Sequence, residues 1–164
     1  MIRYARFITP LGTVLATAAG GLLTSVNFVD AKYTPEIARD WKEDPDSSPL
    51  KDCARQLRDY FDGKRQCFDL PVAPEGTPFQ KRVWQEIARI PFGATITYAQ
   101  LAARAGAPGS ARAAGAATGR NPIAVVVPCH RIVGTDGSLT GYAGGLERKT
   151  KLLEIEGVLQ GSLI

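Results

Sequence analysis

A proline- and glycine-containing break, Pro71-Val72-Ala73-Pro74-Glu75-Gly76, separates two stretches that open on different apolar patterns, and that break limits the folds open to this chain. Before the break, residues 3–8, 13–18 and 22–29 are short β-type runs. The turn signals Thr9-Pro10-Leu11-Gly12 and Ala19-Gly20-Gly21 separate them, which predicts an antiparallel meander. After the break the spacing is helical. Two prolines and a glycine in six residues read as a linker, so a domain boundary is expected there, with one domain over residues 1–75 and a second over 76–164. At 164 residues the chain is long enough to bury a substantial core.

Within the first part, residues 30–48 are polar and contain proline, which predicts a loop. Ser48-Pro49 then opens a helix, the serine as cap and the proline at the first position, with Leu50, Ala54, Leu57 and Phe61 as its apolar stripe and Gly63 as its end. Cys53 lies beside that stripe and reads as a small core hydrophobe. Residues 68–72 are expected to add a strand, and Cys67 just before it reads as structural. In the second part, Thr77-Pro78-Phe79-Gln80 supplies an N-cap, a proline at N1 and a capping-box glutamine, followed by a buried face of Phe79, Val83, Ile87 and Ile90. Thr97-Tyr98-Ala99-Gln100 is a second capping box, opening a helix through Arg104 that stops at Gly106-Ala107-Pro108-Gly109. Ser110 caps a third helix reaching about Gly119. Helix, short turn, helix is the outline of a helix-turn-helix.

Charge divides at the same break. Residues 1–75 carry ten Lys/Arg and eleven Asp/Glu, whereas residues 76–164 carry ten and five, so the positive charge belongs to the second part. A basic domain beside a neutral one suits a polyanionic partner, and equally an ordinary basic surface. The third helix, residues 110–120, holds only small residues apart from Arg112 and Arg120. It has no Asn, Gln, Glu or Lys with which to read base edges in a major groove. Small residues allow tight packing against a neighbouring helix, or close approach to DNA with Arg112 as the long side chain able to wedge into the duplex.

After Asn121-Pro122, residues 123–127 form a continuous apolar run of the kind a fully buried strand shows, ending in Pro128-Cys129-His130-Arg131. The proline favours extended geometry at Val127 and directs the next side chain out of the core. His130 is the only histidine. Its adjacency to Cys129 and to Arg131 suits a nucleophilic thiol served by a base. Neighbours in an extended chain point to opposite faces, so a water is expected to relay the proton between them. One histidine and three scattered cysteines match no zinc-site spacing, so no metal and no cofactor is expected. The odd cysteine count reads as free thiols of a reducing compartment, the cytoplasm by default, and no apolar run approaches the ~20 residues of a membrane span.

These residues resemble the O6-alkylguanine-DNA alkyltransferases, the methylated-DNA–protein-cysteine methyltransferases, over the whole chain. Val127-Pro128-Cys129-His130-Arg131 preceded by Gly119-Arg120-Asn121-Pro122 carries the resemblance. Thr97-Tyr98, Ser110-Ala111-Arg112, Gly141-Tyr142 and the run 152–157 support it in order and spacing. The resemblance implies an α+β fold: an N-terminal RNase H-like α/β domain with antiparallel strands, and a C-terminal α-helical domain with a winged helix-turn-helix. It implies Cys129 as alkyl acceptor, His130 as its base through water, Glu156 as the carboxylate orienting His130, and Asn121 as a hinge between recognition helix and active-site segment. Tyr98 would assist rotation of the nucleotide and protonate the departing guanine. Arg112 would fill the gap left in the stack, with Ser110, Ala111, Gly115 and Thr135 also facing DNA.

Tyr142, Ala143, Ile132, Val127 and Pro128 would line the base pocket. Some members have serine where this chain has Ala143, so only the backbone donor remains there. The zinc ligands of some relatives have no counterparts. The implied partner is double-stranded DNA carrying alkylated guanine, approached from the minor groove with little sequence specificity. No membrane partner is implied; the protein would be monomeric in solution, with cooperative assembly on DNA left open. The reaction would be one irreversible SN2 transfer per molecule, with O4-alkylthymine as a second candidate substrate. A lesion sensor of the alkyltransferase-like kind would lack the cysteine, and a cysteine hydrolase would need an oxyanion site of which the sequence gives no sign.

Overall fold

A computed structural model describes residues 1–159. The fold is mixed α and β, in two compact units: Met1–Glu75 with Pro122–Val126, and Gly76–Asn121 with Val127–Ile164. No helix among the described residues is long and apolar enough to cross a membrane.

In the first unit β1 (Arg3–Thr9), β2 (Gly12–Ala19) and β3 (Leu22–Phe28) form the antiparallel meander, with Gly20 and Gly21 supplying positive φ in the second turn. The sheet order is β3-β2-β1-β4. Its last strand, β4 (Lys42–Glu43), lies inside the stretch expected to be loop and pairs parallel with β1. Two residues without apolar alternation leave no pattern to read. Helix α1 (Leu50–Phe61) packs on β1 and β2.

Its start differs from expectation. Pro49 occupies the N-cap without a side-chain cap, and the Ser48 hydroxyl donates instead to Asp52 Oδ2 at 2.8 Å. Its buried face runs through Leu50, Cys53, Gln56, Leu57 and Tyr60, with Ala54 and Phe61 only half-buried, so Cys53 is in the core itself. Gln56 explains the rotated stripe: its amide donates to Asp69 O at 2.9 Å and its Oε1 accepts from Asp69 N at 2.8 Å. That clamp holds the segment expected to form a strand at 68–72, which instead makes a single parallel bridge, Leu23 to Val72.

The apolar run 123–127 is not a strand, and this is the largest correction. Pro122–Val126 groups with the first unit. Val26 N donates to Pro122 O and Ala124 N to Val26 O, both at 2.8 Å, so the outer edge of β3 gains one bridge at Ile123. The chain then folds back: Val126 N donates to Ala124 O at 2.8 Å around Val125, whose φ is +68°. This is the rarer γ-turn. Such a φ costs a β-branched residue about 1–3 kcal/mol, offset here by burial of the Val125 side chain.

In the second unit α2 (Pro78–Ala88) and α3 (Tyr98–Arg104) open with the two capping boxes expected. Thr77 Oγ1 accepts from Gln80 N and Thr97 Oγ1 from Gln100 N, both at 3.1 Å, while each glutamine returns the bond to its threonine N–H. Helix α4 (Ala111–Gly119) follows the turn, but the Ser110 hydroxyl makes no cap bond. The buried α2 residues include Trp84, which the helical spacing did not single out, while Phe79 is half-buried. The Trp84 indole donates to Ala117 O at 2.8 Å and ties α2 to α4. Strand β5 (Ile96–Thr97) pairs parallel with β6 (Ile132–Val133). Helix α5 (Leu146–Ile155) ends at Gly157, φ +77°, where Val158 N bonds Leu153 O and Gly157 N bonds Glu154 O. This Schellman closure fixes Glu156 at the C-cap.

Candidate active site

Pro128 (φ −83°, ψ 66°) forms an inverse γ-turn, with Cys129 N donating to Val127 O at 2.8 Å. Cys129–Arg131 then make one turn of 3-10 helix. The chain is therefore not extended at the cysteine, and the expected alternation of Cys129 and His130 to opposite faces does not apply. Curvature at Pro128, not the end of a strand, orients the thiol.

Cys129 is 7% exposed. Burial pushes its pKa up, so the resting group is a thiol. Three neighbours act the other way: hydrogen bonding from Asn121, the positive charge of Lys149, and hydrogen bonding from Tyr142. Asn121 follows α4 and is buried, and its Nδ2 also donates to Val127 O at 2.9 Å. It thereby joins the end of α4 to the segment carrying the thiol.

His130 is fully buried, and its Nε2 lies 2.7 Å from Glu156 Oε2. Glu156 is 4% exposed. Arg131 donates from Nε to Glu156 Oε1 at 2.7 Å, from Nη2 to Oε2 at 2.9 Å, and from Nη1 to Ile90 O at 2.6 Å. Burial lowers the pKa of His130 despite the neighbouring carboxylate, with Arg131 and Lys149 acting in the same direction as burial. The imidazole is accordingly neutral. A neutral ring donating from Nε2 to the carboxylate leaves a lone pair on Nδ1, and Nδ1 has no protein partner.

Lys149 is the residue that the sequence reading missed. A lysine on α5 gives no signal of burial, yet it is fully buried. Its Nζ donates to Ile132 O at 2.6 Å, Thr140 O at 3.0 Å and Gly141 O at 3.2 Å, and lies 5.9 Å from the centre of the Tyr98 ring. Burial lowers its pKa to about 8, with Cys129 opposing. The Tyr98 hydroxyl donates to the same Thr140 carbonyl at 2.9 Å. The structure thus brings Cys129, Asn121, Tyr142, Lys149 and Tyr98 into one neighbourhood, with His130, Glu156 and Arg131 in a second cluster joined to it through the Cys129–Arg131 turn. Ile132, Val127 and Pro128 are buried and Ala143 is half-buried, with the Ile132 carbonyl taken up by Lys149.

The packing reading of α4 holds on one face, and the other face is open. Ala114, Ala117 and Thr118 are buried, whereas Arg112, Ala113, Ala116 and Arg120 are exposed, a strip of short side chains with an arginine at each end. Ser110, Ala111 and Gly115 are half-buried, and Gly115 faces the Tyr98 ring, which a Cβ there would meet at 3.5 Å. Thr135 is exposed in the 134–138 turn, where Gly134 N bonds Ser138 O.

Two family descriptions match the chain: "6-O-methylguanine DNA methyltransferase, ribonuclease-like domain" over residues 2–74 and "6-O-methylguanine DNA methyltransferase, DNA binding domain" over residues 78–158. A methylated-DNA–protein-cysteine methyltransferase of Methanosarcina acetivorans is 45% identical over 154 residues, 94% of this chain and 97% of that protein. The Mycobacterium tuberculosis protein of the same name is 42% identical over 156 residues, 95% and 93% of the two chains. A crystal structure of Mycobacterium tuberculosis OGT in complex with DNA superposes with a TM-score of 0.87 at 40% identity, covering 94% of this chain and 92% of that one. Matches over both units, at these identities, show that the chain belongs to the 6-O-methylguanine DNA methyltransferase family.

Proposed function

We propose that this chain repairs duplex DNA by moving the alkyl group of an O6-alkylguanine onto Cys129, once per molecule. The observation that carries the reading is the neutral, buried His130, anchored through Nε2 to Glu156 and left with an unpaired Nδ1, one residue from a buried thiol. His130 takes the thiol proton through a water at Nδ1, which relieves the cost of forming a buried thiolate. Sγ then attacks the alkyl carbon in line as the bond from carbon to O6 breaks. The guanine leaves with the bonding pair and takes a proton from the Tyr98 hydroxyl; the thiol proton held by His130 then returns through water to the Tyr98 oxygen, so alkylguanine and thiol become guanine and thioether with both side chains restored. Asn121, Lys149 and Tyr142 hold the sulfur's developing charge.

Helix α3, the turn and α4 act as a helix-turn-helix in a winged domain, with Ser110 and Thr135 beside the phosphates. The short exposed strip of α4 approaches the minor groove closely, and Arg112 occupies the space of the rotated nucleotide. Tyr142 and the backbone at Ala143, Val127 and Pro128 surround the flipped base. The test is the intact mass of the protein after incubation with a duplex oligonucleotide containing O6-methylguanine. A gain of one methyl, saturating at one per molecule and absent in Cys129→Ser, is expected; continued turnover, or binding without a mass gain, would sink the reading. The same assay with O4-methylthymine sets the substrate range. Arg112→Ala is expected to slow reaction with duplex DNA more than with free O6-benzylguanine, which needs no rotation.

A further inference from the structure

Glu156 is gripped from two sides. Its Oε2 receives both His130 Nε2 and Arg131 Nη2, and its Oε1 receives Arg131 Nε. Arg131 is 5% exposed, Glu156 4% and His130 fully buried, so the three form a buried cluster. We infer that Arg131 is a positioning residue for the alkyl transfer: by holding Glu156 as an anion it keeps the hydrogen of His130 on Nε2 and the lone pair on Nδ1. The inference rests on the transfer reading above, in which Nδ1 is the base.

Without the guanidinium, a buried carboxylate facing a neutral imidazole has no counter-charge, and its affinity for a proton rises. A proton drawn into the pair has two places to go. On the ring it makes an imidazolium, with hydrogen on both nitrogens. On the carboxyl it donates to Nε2, which moves the ring hydrogen to Nδ1. Either way Nδ1 carries hydrogen and accepts nothing from Cys129. A guanidinium is the natural partner for this grip, since its fork of donors matches both oxygens of a carboxylate. The groups facing His130 are Glu156 at the end of α5, Arg131 on its own turn and Lys149 from α5. Lys149 contacts carbonyls and not Glu156, so its charge cannot replace the two-point grip.

The test is the single-turnover rate of methyl transfer from duplex O6-methylguanine DNA, followed by intact mass from about pH 5 to 9. Arg131→Met is expected to move the acid limb of the profile upward by about one pH unit or more, with the rate recovering at alkaline pH. Arg131→Lys keeps a charge beside Glu156 and is expected to leave the limb in place at a reduced rate. In the Glu156→Gln background no carboxylate remains to be protonated, so adding Arg131→Met is expected to move nothing further. Should Arg131→Met not fold, Arg131→Gln, which keeps donors without charge, gives the same readout. A rate lowered equally at every pH would overturn the inference alone. A wild-type protein that transfers no methyl would overturn it together with the proposed function.

Discussion

Cys53 and Cys129 are both buried thiols, one in each unit, and burial raises the pKa of both. The difference lies in what surrounds them. Cys53 sits on the inner face of α1, and burial acts on it alone, pushing it to about 12. Cys129 has an amide, an ammonium and a phenol arranged around it, each favouring the thiolate. Burial by itself therefore makes a cysteine inert; burial among oriented donors makes one that can be charged on demand.

That contrast can be broken most directly by exchanging the two roles. Cys129→Ser is expected to abolish methyl transfer, and Cys53→Ala to leave it intact, as read by protein mass after incubation with methylated duplex. The second effect is on labelling. Cys53 is fully buried and burial raises its pKa, so iodoacetamide is expected to react with it far more slowly in the native protein than in denaturant, and peptide mapping would show it. Comparable native labelling of Cys53 and Cys129 would erase the distinction.

Stability against pH gives the next effect. The Cys53 thiol titrates at 9.0 when unperturbed and at about 12 when folded, so the folded state holds the proton that the unfolded state loses. Its contribution is full below pH 9 and falls as pH rises toward 12, by about 1.4 kcal/mol per pKa unit. Denaturant titrations of wild type and Cys53→Ala should converge over that interval. The smallest effects sharpen the Cys129 side. Asn121→Ala is expected to raise the thiol's apparent pKa and slow transfer by about tenfold, and Tyr142→Phe by a few-fold, each following from one lost hydrogen bond to a developing charge. An unchanged alkaline limb in both would mean that the donors are not aimed at the sulfur.

Legibility followed locality. The capping boxes at Thr77 and Thr97 were readable because partner and cap lie three residues apart. The meander was readable from alternation and from its glycines. The run 123–127 was misread because β-branched residues favour strands, whereas Val125 adopts a left-handed φ that only its surroundings can impose. The offset stripe of α1 was misread because Gln56, a polar residue, is buried by a bond thirteen residues away. In the site, Cys129 and His130 stood out by adjacency. Glu156 came from family resemblance, and Lys149 from neither, since nothing local distinguishes a buried lysine from a solvated one.

The Thr140 carbonyl receives two donors at once, the ammonium of Lys149 and the hydroxyl of Tyr98. A moored object with two lines can cast one off without drifting. Were Tyr98 to turn its hydroxyl away, as the proposed proton transfer requires, Thr140 would retain its partner, and the loop running through Gly141 would stay held by the same ammonium. The exchange then costs about one neutral hydrogen bond, ~1 kcal/mol, roughly a fivefold bias in population.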